Sequence, residues 1–294
     1  MNCSRWRKRE AESPVKLLRS IPAIRRFCRS TARPLVLVPT MGALHAGHAA
    51  LIKRARRAAG TDGTVLVSIF VNPAQFGPKE DFARYPRTLA ADAKVCATHG
   101  ADAIFNPATD GMYAEDHSTW VNEELVSGPL CGAARPGHFR GVCTVVLKLF
   151  TITRPDAAVF GLKDYQQCAV IRRMARDLNL PVRIIATPTV RERDGLALSS
   201  RNRYLSPEER AQAPVIRQAL LAAQAAWRRG VREGEKLRRL VWQTISSASL
   251  ARIEYVEVVD AAALTPVEQA ARGATIAVAV FFGSTRLIDN LQLR

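Results

Sequence analysis

Residues 39–48 read Pro-Thr-Met-Gly-Ala-Leu-His-Ala-Gly-His. The apolar run before them, residues 35–38, has the length and composition of a buried parallel strand. The stretch after them, residues 49–56, carries alanines, a leucine, an isoleucine and basic residues at helical spacing. Two histidines therefore stand where a strand hands over to the first turn of a helix. In an open α/β sheet that place faces ligand, because first-turn N–H groups and the helix dipole point beyond the strand's carboxyl end. His45 and His48 are three residues apart, so a helical turn aims both the same way. Gly47 between them lets a flat ring or a phosphate approach closely. A zinc site would need a third ligand, and no Cys, His or carboxylate lies nearby; two ordinary surface histidines are the plainer alternative.

Working outward, strands alternate with helices as far as residue 189. Residues 64–71 are nearly all β-branched or apolar, fit for a central parallel strand. Helices are expected at 88–99, 141–153 and 164–178, with strands at 102–105, 157–160 and 182–186. That alternation predicts a parallel sheet covered on both faces. Beyond residue 190 the texture changes. Ser206-Pro207-Glu208-Glu209 carries an N-cap, a proline at the first helical position and a glutamate at N3. It predicts a helix running to 229, stopped by Gly230, followed by a second helix over 233–247. Strands at 253–259, 275–282 and 286–291 then follow without helices between them. The fold class is α/β with a smaller α+β unit at the C-terminal end. The division between the two units falls near residue 190.

The chain has 294 residues and a net charge of +17. Residues 1–33 hold ten Lys/Arg against two Glu and supply eight of those charges. A second basic run lies at Arg228, Arg229, Arg232, Lys236, Arg238 and Arg239. Nucleic-acid binding and a solvated helix face are both open readings, and the scarcity of interleaved aromatics favours the second. No apolar h-region follows the basic N-terminus, which excludes a secretory signal; Glu10, Glu12 and Pro14 argue against a transit peptide. Six scattered cysteines without a C-x-x-C point to reduced thiols and a cytoplasmic setting. No apolar run is long enough for a membrane helix.

Three more segments fall at expected strand ends or in polar loops: 71–76 (Val-Asn-Pro-Ala-Gln-Phe), 160–167 (Phe-Gly-Leu-Lys-Asp-Tyr-Gln-Gln) and 198–202 (Leu-Ser-Ser-Arg-Asn). They offer amides, hydroxyls, one lysine and one arginine, without a Walker or G-x-G-x-x-G loop. The histidine segment resembles the HxGH signature of nucleotidylyltransferases. Together with ARYPRTL at 83–89, RPGHFRGV at 135–142, DGLALSSRN at 194–202 and TRLIDN at 285–290, in the family's order and spacing, the chain resembles the pantoate–β-alanine ligase family from about residue 17 to its end.

The resemblance implies a basic extension over 1–16, a Rossmann-like ATP- and pantoate-binding domain over 17–189 and a smaller lid domain over 190–294 that closes over the site, usually in a homodimer. It implies ATP-dependent joining of pantoate to β-alanine through pantoyl adenylate, releasing AMP and pyrophosphate. By the same resemblance His45 and His48 stabilise the reacting phosphate, His48 with a proton-donor role, and Lys163 adds a point charge. The ATP contacts carried over are Met41, Gly42, Ala43, Leu44, His45, Ala46, Gly47 and His48. To these are added Gly161, Leu162, Lys163 and Asp164, the backbone of Val190, and Leu198, Ser199, Ser200 and Arg201. Gln75 and Gln167 correspond to the pantoate-binding glutamines, and Arg201 or a neighbour would hold the β-alanine carboxylate. Mg²⁺ is expected from ATP chemistry, with Asp92 as a weak candidate ligand. Neither a membrane nor a specific nucleic acid is an expected partner. Leu198 stands where many relatives have Met, and residues 120–129 match the family poorly.

Overall fold

The computed structural model describes residues 15–78 and 80–294. Its first unit is a six-stranded sheet in the order β1-β4-β3-β2-β5-β6, parallel throughout. The strands are β1 (Lys16–Leu18), β2 (Leu35–Thr40), β3 (Thr64–Ile69), β4 (Ala103–Phe105), β5 (Ala157–Gly161) and β6 (Arg183–Thr187).

Alternation along β2 sets the layers. Leu35 and Leu37 point to one face and Val36 and Val38 to the other, all fully buried. The valines meet Ile52 and Ala55 of α2 (Ala46–Ala59) and Cys96 of α3 (Leu89–Thr98). The leucines meet Ile24 of α1 (Ile21–Ser30), Val146 and Phe150 of α4 (His138–Thr153), and Ile171 of α5 (Tyr165–Asp177).

From β2 the chain steps to β3 and β4 on one side, then returns to β5 and β6 on the other. The carboxyl ends of the adjacent strands β2 and β5 therefore flank the point where strand order reverses, where open α/β sheets bind ligands.

The second sheet is an antiparallel meander of β7 (Ala251–Val259), β8 (Thr275–Phe282) and β9 (Thr285–Gln292). One face packs Val256, Ile276 and Val278 on Leu220 and Trp227 of α7 (Val215–Arg228) and on Val241 and Ile245 of α8 (Gly234–Ser246). From the other face, Tyr255, Ala277 and Ile288 join the core of the first unit.

Several expectations are corrected. Lys16 pairs with Ala103, so the sheet begins inside the extension assigned to 1–16; residues 1–14 of that assignment lie outside the described residues. β1 is too short to carry a readable alternation; α1, unassigned from sequence, does carry a signal, with Ile21, Ile24, Phe27 and Cys28 at helical spacing behind the Ser20 cap. The helix expected over 206–229 is two: α6 (Pro207–Gln212) and α7, broken at Ala213-Pro214 because proline lacks the N–H that continues a helix. Its start is as expected, with Ser206 and Glu209 forming a capping box. α4 begins at His138 rather than 141, and Gly141 lies inside it: a Cβ there would stand 2.1 Å from the carbonyl oxygen of Ala74.

The basic run on α7 and α8 is partly neutralised, Lys236 by Glu233 and Arg238 and Arg239 by Glu235. Among the described residues no helix is long and apolar enough to cross a membrane.

Candidate active site

β2 delivers residues 41–48 to the reversal point, and the local sequence folds there against itself. His45 is the N-cap of α2 and His48 its third residue. Gly47 N–H donates to His45 Nδ1 at 3.1 Å, and His45 N–H donates to His48 Nδ1 at 3.3 Å. The rings lie 4.2 Å apart between centroids. A Cβ on Gly47 would come within 2.8 Å of the His45 ring, so only glycine permits this packing.

These bonds have a chemical consequence. Each neutral ring accepts at Nδ1 and so carries its proton on Nε2. Burial, then the charges of Lys163 and Arg203, lowers His45 to about 4. Burial, then His45, lowers His48 to about 3. Near neutral pH both rings are uncharged N–H donors. The expected open cradle of first-turn amides is thus replaced by two imidazoles that take up the amides of His45 and Gly47.

Asp92 is corrected as a metal candidate. It lies 1% exposed in the first turn of α3. It accepts from Ala43 N–H at 3.1 Å, Leu44 N–H at 2.8 Å and the Thr88 hydroxyl at 3.1 Å. Both oxygens are occupied by the protein's own donors.

A cavity of about 230 Å³ brings together Met41, His45, Gly47, His48, Gln75, Gly161, Lys163, Asp164 and Gln167 with Val190 and residues 198–201. Gly42, Ala43, Leu44, Ala46 and Leu162 do not line it. It adjoins a cleft of about 490 Å³ beneath the second sheet, and the two share Arg135, His138, Lys163, Asp164, Gln167, Ser199 and Arg201.

Gln75 is buried in the turn after β3. Its oxygen accepts from Asn72 Nδ2 at 3.1 Å, and its amide nitrogen lies 3.0 Å from Met41 sulfur. Gln167 lines both cavities, and its amide makes no hydrogen bond among the described residues. Lys163 Nζ is 3.5 Å from Asp164. Ser199 caps the 3₁₀ turn that carries Ser200 and Arg201. The Val190 carbonyl accepts from Leu198 N–H at 3.0 Å, so a backbone contact to ligand falls first to its own N–H.

Four contributors carried no assigned role. Arg135 makes two bonds to Glu80, at 2.7 and 2.6 Å, and reaches His138 Nε2 at 3.0 Å. With Nε2 accepting, His138 Nδ1 donates to the Gln75 carbonyl at 2.8 Å. Asp81 binds both Nε and Nη2 of Arg201. The RPGHFRGV segment was the available signal for Arg135 and His138; Glu80 and Asp81 had none, because their partners lie 55 and 120 residues away.

Asn290 on β9 donates to the carbonyls of Leu162 and Lys163 at 2.8 and 3.0 Å. The residue before it, Asp289, takes two bonds from Arg191, at 2.6 and 2.9 Å.

Residues 16–292 match the family model described as pantoate-beta-alanine ligase. The chain is 52% identical over 273 residues to a pantothenate synthetase of Pelotomaculum thermopropionicum, covering 93% of this chain and 96% of the relative. It is 50% identical over 282 residues to that of Moorella thermoacetica, covering 95% and 99%. A crystal structure of the Thermus thermophilus pantothenate synthetase superposes with a TM-score of 0.89 at 43% identity, covering 95% and 99%. A Francisella tularensis pantoate-beta-alanine ligase, complexed with beta-gamma ATP and beta-alanine, superposes with a TM-score of 0.77 at 33% identity, covering 95% and 97%.

Proposed function

The chain belongs to the pantoate–β-alanine ligase family and is accordingly an ATP-dependent ligase that forms pantothenate, and we propose that it works through a pantoyl adenylate in the cavity at the β2–β5 reversal point. The observation that carries this reading is the meeting of His45 and His48 with Gln75 and Gln167 in one cavity. It puts neutral phosphate-facing donors beside amides suited to a hydroxy acid.

In the first half-reaction a pantoate carboxylate oxygen attacks the α-phosphorus of ATP and the bond to pyrophosphate breaks. In-line phosphoryl chemistry needs position and charge stabilisation. His45 and His48 donate from Nε2 to phosphate oxygens, acting as uncharged donors at the positive end of α2. The proton-donor role expected of His48 is thus hydrogen-bond donation from Nε2. Lys163 and Arg201 supply the positive charge, with Ser199, Ser200 and the 41–48 loop around the triphosphate. Gly161, Asp164 and Val190 stand on the nucleoside side. Gln75 and Gln167 hold pantoate, since amides donate without adding charge to a carboxylate that must stay nucleophilic. In the second half-reaction the β-alanine amine attacks the acyl carbon and AMP leaves. The larger cleft beneath residues 251–292 is its entry, with Arg201 or Arg135 facing its carboxylate.

Asp92 is committed to backbone, and among the described residues no group of three or more His, Cys, Asp or Glu is placed to hold a metal. Mg²⁺ fits here as the counter-ion that arrives on the triphosphate. Residues 190–294 act as the lid, a homodimer is the working assembly, and the enzyme operates in the cytoplasm.

The test is product analysis with ATP, Mg²⁺, pantoate and β-alanine: AMP, pyrophosphate and pantothenate are expected, and ADP with phosphate would overturn the adenylate. In a single turnover, His48→Ala should slow adenylate formation about a hundredfold, the loss typical of one electrostatic contact.

A further inference from the structure

The loop joining β2 to α2 has two successive residues in the left-handed region, Gly42 at φ 84° and Ala43 at φ 51°. Ala43 is the informative one, because a side chain disfavours that conformation and something must hold it. Such a backbone turns consecutive N–H groups into a concavity suited to an anion. Here the anion is internal. The Asp92 carboxylate takes Ala43 N–H on one oxygen and Leu44 N–H on the other, and Thr88 bonds the oxygen that faces Leu44. The contact is close: a Cβ on Gly42 would stand 3.0 Å from Asp92 Oδ2.

Leu44 is followed directly by His45, whose own N–H closes the bond to His48. Fixing the Leu44 amide fixes where α2 begins. It therefore fixes which ring nitrogen each histidine turns inward and which it offers to the cavity. We propose that Asp92 is a positioning residue of the reaction: through the backbone of Ala43 and Leu44 it holds His45 and His48 in the Nε2-outward arrangement that phosphate binding uses. The proposal rests on the role given to the two histidines above.

Asp92→Asn is the direct variant. An amide keeps one acceptor oxygen and presents a donor to the second backbone N–H, so one of the two bonds is lost. Two readouts are taken together. Nitrogen-15 NMR of the histidine rings, without substrates, should show wild-type His45 and His48 protonated on Nε2 and the variant with mixed tautomers. Single-turnover pyrophosphate release should fall about tenfold to a hundredfold, as misplacement of a catalytic group by up to about 1 Å produces, with pantoate KM within about twofold of wild type. Thr88→Val, which removes only the hydroxyl, should move both readouts the same way by less, and serves if Asp92→Asn does not fold.

Wild-type ring tautomers in a folded variant would overturn the proposal. So would a loss of rate that higher Mg²⁺ restores, since that would make Asp92 a metal ligand. A wild-type protein that released no pyrophosphate would sink the adenylate reading instead, leaving the ring signature to decide the role of Asp92.

Discussion

Asp81 and Arg201 face each other at the rim of the cavity, the guanidinium giving Nε at 3.0 Å and Nη2 at 2.8 Å to the two carboxylate oxygens. Although burial works to raise it, the Asp81 carboxyl is held below its ordinary value by these bonds. Arg201 is also the residue proposed for the triphosphate, so ATP and Asp81 compete for one cation. Asp81→Asn should weaken the competitor by about 1–2 kcal/mol, the scale of a charge-assisted bond. Affinity for a non-hydrolysable ATP analogue, read by calorimetry, should rise about five- to thirtyfold, since about 1.4 kcal/mol is tenfold. Unchanged or weaker binding would mean that the two do not share Arg201.

Acid sensitivity follows from three histidines. His45 and His138 are lowered to about 4 and His48 to about 3, in each case chiefly by burial. As pH falls below about 6.5 the unfolded chain binds protons that the native rings refuse, so stability declines. The decline flattens once the native rings themselves protonate, near pH 4 for His45 and His138 and near pH 3 for His48. Between pH 6.5 and 4.5 each ring contributes on the order of 1–2 kcal/mol, after discounting for partial exposure. Urea midpoints measured across this range should fall with pH, and His138→Gln should flatten the slope. A slope that the substitution leaves untouched would assign the acid sensitivity elsewhere.

Neighbouring glutamines should separate. Gln166 is buried and built into the wall: its amide donates to the Val126 and Pro129 carbonyls at 3.0 and 2.6 Å and its oxygen accepts from Cys131 N–H at 2.9 Å. Gln166→Ala leaves those groups unpaired and should destabilise the fold by about 1–3 kcal/mol. Gln167→Ala should leave the melting temperature unchanged and weaken pantoate binding by a similar amount, about 1–3 kcal/mol. Thermal melts and pantoate titrations on both variants check this; equal effects on both readouts would merge the two roles.

Truncation should show a sharp boundary. Deleting residues 1–14 should leave kcat intact and reduce any salt-sensitive, sequence-independent RNA retention. Deleting residues 1–18 removes the strand that pairs Lys16–Leu18 with Ala103–Phe105, and should lower stability as well. Loss of synthesis in the shorter deletion would make the N-terminal segment part of the enzyme.

The sheet was legible because β2, β3 and β5 are apolar runs whose length and neighbours admit few alternatives. Its edge was not. β1 has three residues, and no periodicity exists at that length. The histidine loop could be placed from sequence because its partners are two and three residues apart. Glu123 shows the limit: its carboxylate takes the N–H groups of Leu125, Val126 and Ser127, a local arrangement in a stretch with no helical or strand period. Long-range pairs were invisible for a different reason. Nothing in the identity of Asp92 says that its acceptors will be used by amides 48 and 49 residues upstream rather than by a cation.

Asp289 and Asn290 are consecutive on β9, so their side chains leave opposite faces of the strand. One grips Arg191, just beyond the first sheet's last strand, and the other grips the carbonyls of Leu162 and Lys163. A strand clasped on both sides is a tie. With Tyr255 of β7 packed into the core of the first unit, the second sheet is fastened through both of its edge strands. The backbone of Lys163 is thereby held from both units at once, by its own sheet and by Asn290.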